Sequence, residues 1–427
     1  MPSDLLMLNN QEYVYEGPLP GRGQAGAAGF YAPGGDKNRQ VLIKEDDPGT
    51  CFAESMVVAY LPGEQVGTQI LQASIGLVDG QTVSIQPRFM LSAEDQANGR
   101  EIAAFDKVVF GRKRDPKTLF SEESRNANKI KETIGRMTPE VKKQLAAAIY
   151  MSQLNGDESL HIGQFMVVTE GDKITKISRI DFGALGRFAH ARTDFDPLHT
   201  SELYQNSGQF GKDYVSYLLQ DDEVKKYLLD YWKKTDVDEV VKQVSDRFDE
   251  QVKNLGGAND ARAAALIGFY KSLVKDADNP KKQVTLAEIR ELLIETTRER
   301  CTQMKAAAEI RDIQRKCEKF MKENPKYAED YAVGKVAEKI NKLAEDSSKP
   351  ATERLREVKS LAYSSASLSS ARAFWEYLKS LFTGDAPGKQ ADRYANFQGK
   401  FQTEIEKRNA NNQSSDDLHE PSTVMRK

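Results

Sequence analysis

The pattern of hydrophobic and polar positions divides the chain into a β-rich beginning and a long helical remainder. Residues 10–92 contain two β-prone runs, VLIKE at 41–45 and TVSIQPRFM at 82–90, and one segment of helical character, AESMVVAYL at 53–61. The stretch PGRGQAGAAG at 20–29 has the composition of a glycine loop. The pattern therefore predicts a small sheet with one helix.

Residues 93–280 are mostly helical in pattern, with an interruption at 157–186. The interruption contains two short apolar runs, FMVV at 165–168 and KISRID at 176–181. Glu170, Gly171 and Asp172 lie between them, and such a combination favours a tight turn. This part of the chain is therefore predicted to be a helical region that carries one β-hairpin.

The C-terminal third is predicted to be a separate helical domain. A boundary is expected at DADNPKKQ (276–283), and TLAE at 285–288 has the pattern of a capping box. Helix-forming residues dominate from there to about 383, with expected breaks at 324–325, 347–350 and 384–388. The predicted domains are 10–92, 93–280 and a helical bundle at 285–400, followed by a polar, disordered tail at 401–427.

Composition narrows the class of protein. Of the 427 residues, 39% are hydrophobic and 29% are charged, which is typical of a globular protein. No apolar run is long enough to predict a transmembrane helix, and the first residues do not have the pattern of a secretory signal peptide. The net charge of −3 gives no general attraction to nucleic acid. The three cysteines form no CxxC pair, so we expect a reducing compartment and neither a zinc site nor a disulfide framework.

Three separated features of the N-terminal segment suit phosphate binding. Glycines in a loop let backbone N–H groups approach phosphate oxygens, and this loop contains Gly21, Gly23, Gly26 and Gly29. Lys44 lies in VLIKE, where a strand lysine can reach nucleotide phosphates, and Glu54 can hold its ammonium group in an ion pair. Taken singly, each feature also fits a plain surface loop, a solvated lysine or an exposed helix glutamate.

The hairpin supplies the fourth feature. Asp181 begins an Asp-Phe-Gly sequence at the end of the second strand, and Gln164 lies at the start of the first strand. One oxygen ligand on each of two adjacent strands suits a Mg²⁺ or Mn²⁺ ion that bridges nucleotide phosphates. In this order the four features predict a phosphoryl-transfer site with ATP as the cofactor.

The order of glycine loop, lysine strand, glutamate helix, hairpin and IDFG resembles the protein-kinase superfamily over residues 10–200. SLHIGQ at 159–164 is similar to the catalytic loop of HipA-type and phosphatidylinositol kinases. The resemblance implies an atypical bilobal kinase fold of the α+β class, with an all-α C-terminal domain. It assigns catalytic roles to Lys44, Glu54, His161 and Asp181, and metal binding to Asp181 and Gln164. The expected nucleotide contacts are Gly23, Gly26, Lys44, Arg88 and Met90.

One position departs from that resemblance. Ser159 stands where those families have the catalytic aspartate, so the general base is left open. Asp157 and Glu158 lie just upstream and are alternative sources of a carboxylate. The open readings are therefore an active Ser/Thr-directed protein kinase, a pseudokinase scaffold, a kinase-fold enzyme that transfers AMP, and a lipid kinase.

The layout of a divergent kinase followed by helices resembles the type IV secretion effector kinases of Legionella, in particular one that inositol hexakisphosphate activates. This resemblance implies delivery into a host cell, a host protein substrate, and a place in the host cytoplasm or on the cytoplasmic face of a host membrane. A basic cluster is the candidate site for the activator, and a solvated basic face is its alternative. The cluster consists of Arg112, Lys113, Arg114, Lys117, Arg125, Lys129 and Arg136.

The segment ARAFWEYLKSLF at 371–382 is aromatic and amphipathic. Such a helix either enters a membrane interface or forms one face of a helical bundle. The same resemblance favours a membrane that contains phosphatidylinositol 4-phosphate, with 285–400 as the binding domain.

Overall fold

The structure is a computed structural model, and it describes most of the chain. The described residues are 5–18, 28–63, 71–111, 127–157, 162–180, 218–219, 221–257, 261–270, 284–346, 348–364 and 372–382. Contacts divide the chain into two compact units, residues 1–308 and 309–427. This division falls within a helix and not at 276–283, and the domain ranges given above stay predictions.

The first unit begins with a six-stranded antiparallel sheet in the order β1-β2-β3-β4-β6-β5. Side chains alternate across a strand, and one face of this sheet forms an apolar cluster that includes Leu8, Tyr31, Ile43 and Ile85. The strands are β1 (Leu5–Leu8), β2 (Gln11–Pro18), β3 (Ala28–Pro33), β4 (Val41–Glu45), β5 (Ser74–Val78) and β6 (Gln81–Pro87). The predicted β-rich beginning is therefore confirmed, and VLIKE is β4.

Helix α1 (Pro48–Ser55) lies between β4 and β5, earlier in the chain than the predicted helical segment at 53–61. Its start is set by Asp47, whose side chain accepts a hydrogen bond of 2.9 Å from the backbone N–H of Thr50, and by proline in the first turn. It ends before Val58, whose backbone N–H bonds to the side chain of Asn155 instead. The hydrogen bond of Val58 to Asn155 thus accompanies a helix end earlier than the predicted end at residue 61.

A second, three-stranded sheet in the order β7-β8-β9 follows. The hairpin of β8 (Phe165–Glu170) and β9 (Lys173–Arg179) confirms the two predicted strands, and Gly171 adopts φ +57° in their turn. Strand β7 (Glu101–Ala104) was not predicted. Its four residues have little β-propensity of their own, and they become a strand by pairing with β8, where Glu101 lies opposite Thr169.

Helices make up the rest of the described first unit. The central one, α5, is buried over almost its whole length, and its Tyr150 and Ile149 are fully covered. Trp232 packs against it and donates a 3.0 Å hydrogen bond to the Gln153 side chain. The helices are α2 (Ala93–Ala97), α3 (Phe105–Phe110), α4 (Ala127–Gly135), α5 (Pro139–Leu154), α6 (Asp222–Lys234), α7 (Val237–Asn254) and α8 (Ala261–Tyr270).

Helix α9 (Leu286–Glu323) starts at the predicted capping box, in which the backbone N–H of Glu288 bonds to Thr285 Oγ1 at 3.2 Å and the backbone N–H of Thr285 bonds to Glu288 Oε2 at 2.9 Å. Among the described residues, helix breaks occur at 324, at 346 and at 348–350, close to the predicted positions, and the expected break at 384–388 lies outside the described residues. The remaining described helices are α10 (Pro325–Ala328), α11 (Tyr331–Glu345), α12 (Ala351–Ser364) and α13 (Arg372–Ser380). The α+β class with a helical C-terminal region is therefore confirmed. No helix among the described residues is long and apolar enough to cross a membrane.

In the second unit the aromatic face of α13 turns inward. Phe374 and Leu378 are fully buried, and the Phe320 ring lies 5.7 Å from that of Phe374 and 4.7 Å from that of Tyr377. These residues therefore form the core of a helical bundle. Leu381 and Phe382, at the end of the same segment, keep part of their surface exposed.

All three cysteines are free and buried. Burial raises the pKa of the Cys301 thiol to about 11 and that of the Cys317 thiol to about 12. Both thiols are therefore protonated and unreactive at neutral pH.

Asp95 joins helix α2 to the hairpin. Its buried carboxylate accepts hydrogen bonds from Lys176 Nζ at 2.6 Å, from Arg100 Nη1 at 2.9 Å and from Ser92 Oγ at 2.6 Å. Although burial favours the neutral carboxyl, the hydrogen bonds from Lys176, Ser92 and Arg100 hold the pKa of Asp95 well below its usual range. The ionised form of Asp95 thus stabilises the native state.

We expect Asp95→Asn to lower the free energy of unfolding by about 1.5–3 kcal/mol at pH 7, because two cations lose a charged acceptor. The stabilisation by ionised Asp95 is complete above its unfolded-state pKa of about 4. It is lost as the pH falls through the lower pKa of Asp95 in the folded state. Urea denaturation of both proteins from pH 7 to pH 3 checks this. Glu94→Gln on the exposed side of the same helix is the control and should have little effect. A deficit in Asp95→Asn that stays constant down to pH 3 contradicts the assignment.

Candidate functional site

The register of the sheet places Lys44 beside the glycine loop. In the antiparallel pairing of β3 and β4, Lys44 lies opposite Ala28, and in that of β4 and β6 it lies opposite Ser84. Strand β3 begins at Ala28, so the last two residues of the predicted glycine loop at 20–29 are strand residues, and Pro18, the last residue of β2, lies opposite Gly29. The two ends of the 19–27 segment therefore leave the sheet next to Lys44.

Lys44 and Glu54 form a buried ion pair between Lys44 Nζ and Glu54 Oε1. The Glu54 side chain is 1% exposed and that of Lys44 is 14% exposed. The other carboxylate oxygen of Glu54 accepts a 2.6 Å hydrogen bond from Gln86 Nε2 on β6. The ion pair that the sequence predicted is therefore present, and Gln86, which was not predicted, fixes the orientation of Glu54.

Gly29 has a packing role. A Cβ atom at this position would lie 2.8 Å from Cε2 of Tyr15, so any larger residue would force the Tyr15 ring to move. This requirement is independent of phosphate binding. Gly21, Gly23 and Gly26 lie outside the described residues, and their role stays a prediction.

Arg88 lies on the same face of the sheet as Lys44. Its guanidinium group is 4.3 Å from the centre of the Phe30 ring, and Phe30 lies opposite Leu42, two residues before Lys44. Arg88 is exposed and also donates to the Gln40 side chain. Met90 is half-buried just beyond β6. The contacts of Arg88 and Met90 with a nucleotide stay predictions.

The hairpin brings Gln164 alongside the residue that precedes Asp181. Gln164 ends a short 3-10 helix, Ile162–Gln164, and its carbonyl accepts a 2.9 Å hydrogen bond from the backbone N–H of Ile180. Asp181 and His161 lie outside the described residues, so their roles stay predictions. Among the described residues there is no group of three or more Asp, Glu, His or Cys side chains that could hold a metal ion. The metal-binding roles of Gln164 and Asp181 therefore stay predictions.

A second buried ion pair supports the hairpin, and the sequence did not reveal it. Arg179 Nη2 binds Asp157 Oδ2, and both side chains are at least 98% covered. Arg179 also donates through Nε to Ser152 Oγ at 3.0 Å and through Nη1 to the Gln164 carbonyl at 3.3 Å. Asp157 was one of two upstream candidates for the general base. Its burial against Arg179 instead makes it the support of the strand that leads to Asp181.

A continuous path of contacts joins the two buried pairs. Beyond helix α1, Val58 donates its N–H to Asn155 Oδ1 at 2.7 Å and accepts from Asn155 Nδ2 at 3.2 Å. Asn155 is two residues before Asp157, which binds Arg179, and Arg179 contacts the Gln164 carbonyl. The helix that carries Glu54 and the hairpin that leads to Asp181 are thus connected through a few direct hydrogen bonds.

The predicted activator cluster is described only in part. Arg112, Lys113, Arg114, Lys117 and Arg125 lie outside the described residues. Lys129 is exposed on α4, and Arg136, just after α4, forms an ion pair with Glu132 one turn earlier. The assembly of this cluster and its binding of a polyphosphate therefore stay predictions.

Comparisons with known proteins add little to this geometry. No protein-family model matches the chain, and no curated protein matches it. Among solved structures, the chain is similar to a Helicobacter pylori proinflammatory kinase, CtkA, with 16% sequence identity and a TM-score of 0.34, over 70% of this chain and 94% of that one. No conclusion about function follows from a similarity at this level. The strand order and the Lys44–Glu54 pair are themselves consistent with a kinase-like fold.

Proposed function

We propose that this chain is an ATP-dependent phosphotransferase, an atypical protein kinase directed at Ser or Thr. The observation that carries the proposal is the buried Lys44–Glu54 pair on a strand next to the glycine loop. In protein kinases a strand lysine, held by a helix glutamate, binds nucleotide phosphates below a glycine loop. The same three parts occur here in the same order.

The alternative explanation of the pair is a purely structural ion pair. A buried pair is a poor source of stability, because desolvation of both charges offsets most of their attraction. Apolar residues of similar volume serve stability as well or better. Lys44 is only partly buried, with 14% of its side chain exposed, and it lies next to the glycine loop. The binding of an anion therefore explains this lysine better.

The proposed metal ligands are Gln164 and Asp181. An amide oxygen and a carboxylate are ligand types that Mg²⁺ and Mn²⁺ accept, so these residues fit the ion that ATP requires. When bound, the ion would neutralise charge on the phosphates. The protein's own part is to hold the backbone of Gln164, whose main-chain carbonyl accepts hydrogen bonds from Ile180 and Arg179, and to position Lys44 through Glu54.

A second candidate function is a scaffold that binds nucleotide without phosphoryl transfer, or a kinase-fold enzyme that transfers AMP. The observation in its favour is that Asp157 is engaged by Arg179, and is not free to act as a base. Ser159 at the usual aspartate position points in the same direction. The lipid-kinase alternative is supported only by the resemblance of the SLHIGQ loop to phosphatidylinositol kinases.

We expect Lys44→Met to reduce transfer of label from γ-labelled ATP to a generic protein substrate or to the chain itself by about 10²–10³-fold, because the phosphates lose a preorganised cation. Lys37→Met is the matched control. Lys37 lies in the same N-terminal region, pairs with Glu16 at 3.4 Å and is 74% exposed, so its loss should leave transfer unchanged.

The position of the label separates the candidate functions. Transfer from γ-labelled ATP alone supports the kinase, and transfer from α-labelled ATP supports AMP transfer. Nucleotide binding with neither transfer supports the scaffold. An absence of nucleotide binding by the native protein, with Mg²⁺ and with Mn²⁺, contradicts every version of the proposal.

Inositol hexakisphosphate is the proposed activator, on the basis of the basic sequence cluster and the resemblance to effector kinases. Exposed Lys129 is available to such an anion, whereas Arg136 would first have to leave Glu132. We expect added inositol hexakisphosphate to increase ATP turnover and to bind the native chain in calorimetry. Lys129→Ala should weaken this binding, with Lys173→Ala at the exposed start of β9 as the control. If the native chain neither binds inositol hexakisphosphate nor is stimulated by it, the proposed activator is refuted.

Docking to a membrane with phosphatidylinositol 4-phosphate, after delivery into a host cell, is proposed on the resemblance alone. Phe374 and Leu378 are in the bundle core, whereas Leu381 and Phe382 are partly exposed described side chains of this segment that could insert. We expect the full chain to sediment with vesicles that contain this lipid and less with vesicles that lack it. Leu381→Ser with Phe382→Ser should abolish the difference. Equal sedimentation of the native chain with both vesicle types would refute the specificity.

A further inference from the structure

Helix α1, which carries Glu54, is covered by segments that come much later in the chain. Phe52 on α1 is fully buried, with its ring edge-on to Phe248 of α7 at 5.4 Å and to Tyr270 of α8 at 6.2 Å. Cys51 is buried in the same apolar cluster. The side of α1 that carries Cys51 and Phe52 therefore packs against α7 and α8.

Arg247 of α7 binds the end of this helix. Its Nε donates a 2.7 Å hydrogen bond to the carbonyl of Ser55, the last residue of α1 and the neighbour of Glu54. Its Nη2 donates to the carbonyl of Ala73, immediately before β5. The last carbonyls of a helix have no partner within the helix and carry the negative end of its dipole, so a guanidinium group suits them.

Two further contacts hold the same region. Gln251, one turn after Arg247 on α7, accepts a 3.0 Å hydrogen bond from the backbone N–H of Ile75 on β5. Asn155, after α5, binds both backbone groups of Val58. Helix α1 has only eight residues, so the attachment of its last residue determines where the Glu54 carboxylate lies.

We propose that Arg247 is a positioning residue for the Lys44–Glu54 pair, and that it acts through the end of helix α1. This inference rests on the proposed function, since the pair matters for turnover only if the chain transfers phosphate. Without Arg247 the carbonyls of Ser55 and Ala73 lose their shared donor, and α1 is free to shift away from β4. Glu54 then no longer holds Lys44 towards the nucleotide.

The variants for the test are Arg247→Met, which keeps the length of the side chain and removes its donors, and Arg247→Lys, which keeps the charge and has one donor group instead of a fork. Arg262→Met is the matched control. Arg262 of α8 also donates to a backbone carbonyl of the N-terminal sheet, that of Gly80 at 3.0 Å, but it does not bind α1.

We expect Arg247→Met to lower kcat about 10–10²-fold with a smaller change in KM, since a small displacement of a catalytic group has an effect of this size. Arg247→Lys should recover part of the loss, and Arg262→Met should retain native turnover. In a background of Glu54→Gln, Arg247→Met should add little, because both changes affect one interaction. Fully additive losses, or an equal loss in Arg262→Met, would overturn the inference.

Amide hydrogen exchange of the full-length proteins provides a readout that does not depend on activity. We expect faster exchange in residues 48–55 in Arg247→Met and, to a smaller extent, in Arg247→Lys, but not in Arg262→Met. If the native protein binds no nucleotide, the proposed function is refuted. The comparison of amide hydrogen exchange among the variants then decides the role of Arg247. Unchanged exchange in 48–55 in both Arg247 variants would overturn the inference, whatever the native protein does with ATP.

Discussion

The buried ion pair between Lys44 and Glu54 is the constraint on which the N-terminal half of the molecule depends. Two charges out of water are stable only when their geometry is fixed and the remaining oxygen is hydrogen-bonded. Gln86 satisfies the second Glu54 oxygen, the pairing of β4 with β3 and β6 fixes Lys44, and the contacts of α1 fix Glu54. The strand order, the short helix and the later helices that cover it together place one carboxylate against one ammonium group.

The buried Arg179–Asp157 ion pair likewise holds the hairpin in place. It fixes the last residues of β9, and through the Gln164 carbonyl it also fixes the start of β8. Asn155 and Asp157 are two residues apart, and they attach to α1 on one side and to β9 on the other. This short segment therefore joins the surroundings of the two ion pairs by direct contacts.

Local signals in the sequence were sufficient for the features that local chemistry determines. The strand VLIKE, the hairpin turn at Gly171 and the capping box from Thr285 to Glu288 each follow from a few adjacent residues. The start of α1 was misplaced because Asp47 and Pro48 were not recognised as a helix start. Strand β7, Gln86 and Arg247 were not predicted, since each depends on partners far along the chain: Arg247 binds a carbonyl 192 residues away. The order of the kinase-like features can be read from the sequence, whereas the residues that support Lys44 and Glu54 carry no pattern of their own.

The contacts of α1 and β5 with distant segments cross the predicted domain boundary between residues 92 and 93. Residues 237–270 belong to the predicted second domain, yet Arg247, Gln251, Phe248 and Tyr270 bind α1 and β5 of the predicted first one. In a protein whose glutamate helix is free, the Lys–Glu pair is made and broken as the helix moves. Here the end of the helix is attached to α7 by Arg247, and its Phe52 packs against Phe248 and Tyr270. A movement of this helix would therefore have to break the Arg247 hydrogen bond and the packing of Phe52.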